Sequence, residues 1–194
     1  MEDFITLPKP LDIRMALGEA LAKRRTVRDC SPDALPEDAL STLLWACGGI
    51  TADDGRRTVP STLDLRAVSV WILRADGAWL YDPALNRLVR TSKTDCRRVS
   101  TAYQFDYVEK APVTIVFAAD HNRAKAARPT AVYVDAGTMG QSVFLAATAL
   151  GLAGCIRASF DHDLLAEAMH LPEGFEPVLL FTVGLPAKEA ADCP

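Results

Sequence analysis

The chain reads as one mixed domain of α-helices and β-strands, and three observations carry that expectation. Its 194 residues, 49% of them hydrophobic, are enough to bury one substantial core, so residues 1–194 are expected to form a single domain. A β-branched apolar run at 67–74 is followed by two more strand-like pieces across short turns, the pattern of an antiparallel meander. A long segment from Thr130 to Leu150 is apolar almost all round and ends at Gly151, as a buried helix would.

The remaining elements follow in order. Residues 12–23 place Ile13, Leu17 and Leu21 at helical spacing behind Asp12, an acceptable N-cap. A second helix is signalled by Leu35-Pro36, with proline expected at the first helical position. Leu40, Leu43, Leu44 and Cys47 share its face, and Gly48-Gly49 stop it. Residues 50–62 mix Asp, Gly, Arg, Pro and Ser without period and read as a loop. The meander consists of AVSVWILR at 67–74, AWLYD at 78–82 after Asp76-Gly77, and NRLVRT after Asp82-Pro83. Residues 92–110 are polar and partly helical, and PVTIVFAAD at 112–120 is a central strand. After the buried helix come a strand around 154–159, a helix from Asp161 as N-cap to about His170, and a last strand at 177–184.

Several function classes are disfavoured by composition. Net charge is −4 with a pI near 5.4, which argues against general nucleic-acid binding. The start MEDFITLPKP has neither a basic nor an apolar signal core, and Asp135, Gln141 and Ser142 make residues 130–150 poor for lipid, so a cytoplasmic, non-membrane protein is expected. The five cysteines (30, 47, 96, 155, 193) form no C-x-x-C pair and read as free thiols. With the three histidines (121, 162, 170) they make no metal pattern, so no metal is expected.

Three short segments could carry chemistry. Lys23, Arg24, Arg25 and Arg28 gather cations at the end of a predicted helix of an otherwise acidic chain. They either complement the negative helix end, or, with the Thr26 hydroxyl, form a clamp of guanidinium forks for phosphate oxygens. Pro60-Ser61-Thr62 is either an ordinary polar turn or a binding loop. GLAGCIRASFD at 151–161 is either a buried strand leading into a capped helix or a small-residue strand end. The latter lets a flat aromatic ring approach the backbone.

Taken together and in order, these segments resemble the nitroreductase family of FMN-dependent oxidoreductases. The resemblance covers nearly the whole chain: RRTVRD, then LLWACGG, PST, DAGTMGQ, GLAGCIRASFD and a final VGLP. The LLWA segment and the YDP–NRLV hairpin are most similar to the branch that holds the thiazoline and oxazoline oxidases of peptide modification. The resemblance implies an α+β fold with a central, mostly antiparallel sheet flanked by helices, and an intertwined homodimer with FMN at its interface. It implies that Arg24, Arg25, Thr26 and Arg28 meet the FMN phosphate, ribityl chain and pyrimidine edge, with Lys188 helping to neutralise phosphate. Pro60, Ser61 and Thr62 would contact the flavin from the partner chain, Gln141 belongs to the cofactor-binding set, and Cys155, Ile156, Arg157 and Ala158 would lie along one flavin face.

The implied reaction is transfer of hydride from NAD(P)H through FMN to a small acceptor of nitro, quinone or azoline type, with no protein nucleophile and no catalytic side chain. The alternative is a catalytically degenerate member serving as a flavin-binding or partner-binding subunit. It is motivated by two departures, PSTLDLRA in place of a glycine-rich turn and Arg157 in place of a glycine beside the ring; Arg66 in place of the tyrosine of the azoline-oxidase branch argues against azoline oxidation. Arg157 would either fill substrate space or stabilise reduced flavin, and the short tracts at 92–110 and 121–129 imply an open site.

Overall fold

The computed structural model describes residues 3–103 and 106–187. Chain order is β1 (Phe4–Thr6), α1 (Leu17–Lys23), α2 (Glu37–Gly48), β2 (Val68–Arg74), β3 (Gly77–Asp82), β4 (Arg87–Ser92), α3 (Asp106–Lys110), β5 (Val113–Asp120), α4 (Ala131–Ala149), β6 (Ala153–Arg157), α5 (His162–Met169) and β7 (Phe175–Gly184). Single 3-10 turns stand at Thr62–Asp64, Arg98–Ser100 and Arg123–Ala126. Among the described residues no helix is long and apolar enough to cross a membrane.

The strands form one seven-stranded sheet in the order β1-β4-β3-β2-β5-β7-β6, and every recorded pairing is antiparallel. Period-two alternation sends side chains to opposite faces. Val68, Val70, Ile72, Ile115, Phe117, Phe181 and Val183 enter the larger core with α2 and α4. Trp71, Leu73, Val116, Ala118 and Leu180 enter a second core closed by Leu165 and Met169 of α5. Gly77 joins β2 to β3 at φ 136°, where an added Cβ would stand 2.1 Å from the Ser92 carbonyl oxygen, so glycine is required there.

Helix α4 lies against the sheet because small residues let it in. A Cβ at Gly140 would meet Leu179 Cδ2 at 2.8 Å. Its outer side is different: Val134 is 63% exposed, Gly137 and Gln141 are exposed, and a Cβ on Gly137 would meet nothing. Leu17 and Leu21 of α1 are likewise exposed, at 67% and 52%.

The first helix is shorter than its spacing predicts. The chain before it is pinned to α2, where Leu11 N–H donates to Thr42 Oγ1 (2.8 Å), so Asp12 caps nothing and α1 starts after Ala16. Proline 36 sits at the N-cap of α2 rather than at its first helical position. Asp161 does cap α5, accepting from Leu164 N–H at 2.9 Å. Strand β1 carries no signal in the sequence because its three residues are too few to alternate and its partner β4 is distant in the chain.

One corner of the sheet is closed by polar contacts. Glu176 at the start of β7 accepts from His121 Nε2 (2.6 Å), His162 Nδ1 (3.0 Å) and the Tyr133 hydroxyl (3.2 Å). Burial alone would raise the Glu176 pKa, but the hydrogen bonds from His121, Tyr133 and His162 outweigh it and hold the carboxyl below its ordinary value. A carboxyl depressed in the folded state stabilises it above the unfolded pKa and loses that contribution as pH falls through the folded one. Chemical denaturation of Glu176→Gln should therefore show the largest stability deficit near pH 6–7, shrinking below about pH 4. A deficit independent of pH would refute the role of the charge.

Candidate functional site

Strand β6 is the last strand of the sheet, so one side of its backbone has no neighbouring strand. The residues following α1 run along that side. Val27 N–H donates to the Gly154 carbonyl (3.0 Å), Ser31 N–H to the Leu185 carbonyl (2.8 Å), and Ala187 N–H to the Asp29 carbonyl (3.3 Å). Because a strand residue points its N–H and C=O to the same side, and alternate residues agree, Ile156 presents its backbone groups outward like Gly154. Among the described residues no backbone bond there occupies its N–H.

This staple brings Arg28 beside β6. A cleft of about 410 Å³ is lined by Arg28, Tyr107, Cys155, Ile156, Arg157, Ala158 and Ser159. Arg28 and the stretch 155–158, far apart in sequence, thus share one cleft. Of its lining, Ala158 and Ser159 are small and exposed just beyond the strand end.

The basic residues divide by role. Arg25 turns back on its own helix, where Nη1 donates to the carbonyls of Ala22 (2.9 Å) and Arg24 (2.8 Å). That is the helix-end function expected of a cation at a C-terminus. The Arg24 guanidinium lies 4.8 Å from the centre of the Phe144 ring, a cation–π contact that leaves its N–H groups available. Lys23 pairs with Glu19 at 2.7 Å, and Thr26 is exposed. Neither Arg24 nor Arg28 has a carboxylate partner among the described residues. Lys188 lies outside the described residues.

Arg157 is only 7% exposed. Its Nε donates to Thr182 Oγ1 (2.8 Å), Nη1 to the Ser100 carbonyl (2.6 Å) and Nη2 to Ser100 Oγ (3.1 Å), while Thr182 faces Thr114 at 3.3 Å. Burial lowers its pKa, and the guanidinium remains charged because arginine starts so high. The side chain is spent on tying β6 and β7 to the 3-10 turn at Arg98–Ser100. Among the described hydrogen bonds, none directs it toward the open side of the cleft.

Pro60–Thr62 stands elsewhere in the chain. Ser61 Oγ, Thr62 N–H and Thr62 Oγ1 all donate to the Asp135 carboxylate at 2.8–3.1 Å, which fastens the turn to the first turns of α4. Asp135 precedes Phe144 by nine residues, about 13 Å along a helix, so the turn and the Arg24 guanidinium meet opposite ends of α4. Gln141 lies between them on the outer face.

Two residues of this region gave no sign in the sequence. Phe144 is one of many apolar residues in α4, and only its place under Arg24 singles it out. Tyr107 sits in a polar tract without period. In the structure burial raises the pKa of its phenol, and a hydrogen bond with Arg28 partly offsets this.

An all-antiparallel sheet with helices on both faces and a basic segment along its edge strand defines a class of α+β proteins. Comparison places the chain within that class: residues 21–185 match the nitroreductase family model, and the chain belongs to the nitroreductase family. A nitroreductase-family protein of Methanocaldococcus jannaschii is 26% identical over 196 residues, covering 95% of this chain and 98% of that protein. A solved nitroreductase-family structure from Ralstonia eutropha superposes with a TM-score of 0.87 at 32% identity, covering 95% of this chain and 90% of the other. A chain of the E. coli microcin synthetase complex, solved with truncated pro-MccB17 bound, shares the fold at a TM-score of 0.77. It is 18% identical, with 92% of this chain and 75% of that chain covered.

If Arg157 is a tie between β6 and Ser100, Arg157→Leu should lower unfolding free energy by about 3 kcal/mol, since it removes three hydrogen bonds, made to a buried carbonyl and to two hydroxyls. A loss below roughly 0.5 kcal/mol in denaturant titration would mean the guanidinium is not structural.

Proposed function

We propose that this chain is an FMN-dependent oxidoreductase that passes hydride from NAD(P)H to a small electron acceptor and works as a homodimer. The observation that carries this reading is the cleft that Arg28 shares with residues 155–158, where Ala158 is exposed at the strand end. The fit of FMN to these residues rests on their own chemistry. Among the described residues Arg24 and Arg28 have no carboxylate partner, and they stand next to the Thr26 hydroxyl, as a phosphate tail requires. The outward N–H of Ile156 and the small side chains of Ala158 and Ser159 suit a flat heteroaromatic ring lying close to the backbone. When bound, FMN supplies the ring that accepts hydride and gives it up again.

The protein groups then bind and orient. Arg24, braced on Phe144, and Arg28, held by Tyr107, would anchor the phosphate tail and the ring edge. A cation at the ring edge would favour a ring that gains negative charge on reduction. No side chain need act as a nucleophile. The branch of azoline oxidases is one home for such a chain, and the shared fold with a microcin synthetase subunit is consistent with it.

The dimer is supported by surfaces that a lone chain leaves uncovered. Leu17, Leu21 and Val134 are all more than half exposed, and the bare outer side of Gly137 allows close approach of another helix. In a dimer the Pro60–Thr62 turn of one chain would reach the cleft of the other.

The purified protein is expected to be yellow and to bleach under NADH or NADPH in air-free buffer. Arg24→Ala with Arg28→Ala should weaken FMN binding by at least about 100-fold, because each charge-assisted contact contributes roughly 1.5–3 kcal/mol. Unchanged affinity would overturn the assignment, and tight FMN binding without bleaching would assign the chain a flavin-holding role instead. Separately, Leu17→Asp with Leu21→Asp should convert a dimer to monomer in light scattering. A dimer of unchanged stability would rule this face out.

A further inference from the structure

A second cleft, of about 280 Å³, opens beside the Pro60–Thr62 turn and is lined by Arg56, Arg57, Thr58, Ser61, Asp64 and Arg66 among others. The carboxylates in and near it are already engaged. Asp54 takes Arg56 Nε at 2.8 and 3.0 Å, and Asp64 takes Arg66 Nε and Nη2 at 2.9 and 3.1 Å. Asp135, beneath, holds Ser61 and Thr62. Arg57 is left over: among the described residues it makes no ion pair, and its Nε is shielded from water with no hydrogen-bond partner.

Burial, then the like charges of Arg66 and Arg123, push the Arg57 pKa down, and the opposing pull of Asp64, already paired with Arg66, does not outweigh them. The backbone here is also held in an unfavourable shape. Leu63, Asp64 and Arg66 have φ of 51°, 53° and 50°, the left-handed region that side chains rarely adopt. The Asp135 grip and the Arg66 N–H bond to Ser61 Oγ (2.8 Å) keep this loop in place. A half-buried guanidinium that makes no ion pair among the described residues and lines a cleft is complementary to a carboxylate or phosphate group.

We propose that Arg57 anchors an oxyanion, a carboxylate or phosphate, borne by the electron acceptor. The volume is below that of typical whole-ligand pockets, so the cleft suits the charged end of a larger molecule. The proposal rests on the oxidoreductase reading, since it is the turn containing Pro60 and Ser61 that would place this end near a partner's cofactor.

Two measurements test it. With FMN in excess and chloride used to hold ionic strength constant, inorganic phosphate and benzoate should each raise the thermal midpoint of the unaltered protein. Neither should do so for Arg57→Gln, whose FMN absorbance should be unchanged. Arg57→Lys keeps the charge without the fork. It should respond weakly, and it secures the test if the glutamine variant is unstable. In turnover, Arg57→Gln should raise KM for 4-nitrobenzoate by about tenfold or more and leave kcat/KM for nitrobenzene within about twofold. An equal response to phosphate and benzoate in Arg57→Gln, or equal loss on both nitro compounds, overturns the proposal. A response to phosphate alone, or to benzoate alone, identifies which oxyanion the cleft takes and supports it. Should the unaltered protein bind no FMN and reduce neither compound, the oxidoreductase reading fails. The same titrations on Arg24→Ala with Arg28→Ala protein then still decide whether Arg57 holds an anion.

Discussion

The hydrogen bond from Val27 N–H to the Gly154 carbonyl holds the basic segment against an edge strand that would otherwise be bare. An unpaired edge is usually a liability, open to pairing with another chain. Here it is covered at one end by residues 24–31 and left available at the other, where Ile156 and Ala158 look outward. The cleft with Arg28 exists because of that partial cover. Without the staple, the cations at the end of α1 would be four charges on a solvated helix terminus.

Charge pairing sorts the arginines into fastenings and unspent cations. Arg25 closes its own helix, Arg157 ties β6 and β7 to Ser100, and Arg66 is matched to Asp64. Arg24, Arg28 and Arg57 are left without carboxylates among the described residues. The first two lie near the β6 edge and the third lies near the opposite end of α4, where Asp135 anchors the Pro60–Thr62 turn. Helix α4 therefore spaces two cationic regions apart within one chain, and its uncovered outer face is where a second chain would bring one region to the other.

Much of the fold was legible because burial leaves apolar runs of element length in the sequence. The β-branched apolar run at 68–74, the apolar run at 113–120 and the long helix at 131–149 lie within a residue or two of where pattern and turn chemistry place them. Where local signals misled, a distant partner had won: Asp12 lost its helix to the bond between Leu11 and Thr42, and β1 exists only because β4 receives it. The gathering of Arg28 with residues 155–158 was accessible through the ordered motifs, but Tyr107 and Phe144 carried no local mark.

The sequence by itself determined which segments would be helix or strand and which residue types were available to meet an anionic, flat ligand. Hydrophobic period and capping chemistry are local properties of a chain. Only the tertiary structure decided which cations remained unspent. Pairing depends on what long-range packing brings within about 3 Å, and no spacing rule could tell Arg157, locked onto Ser100, from Arg57, left without a counter-ion.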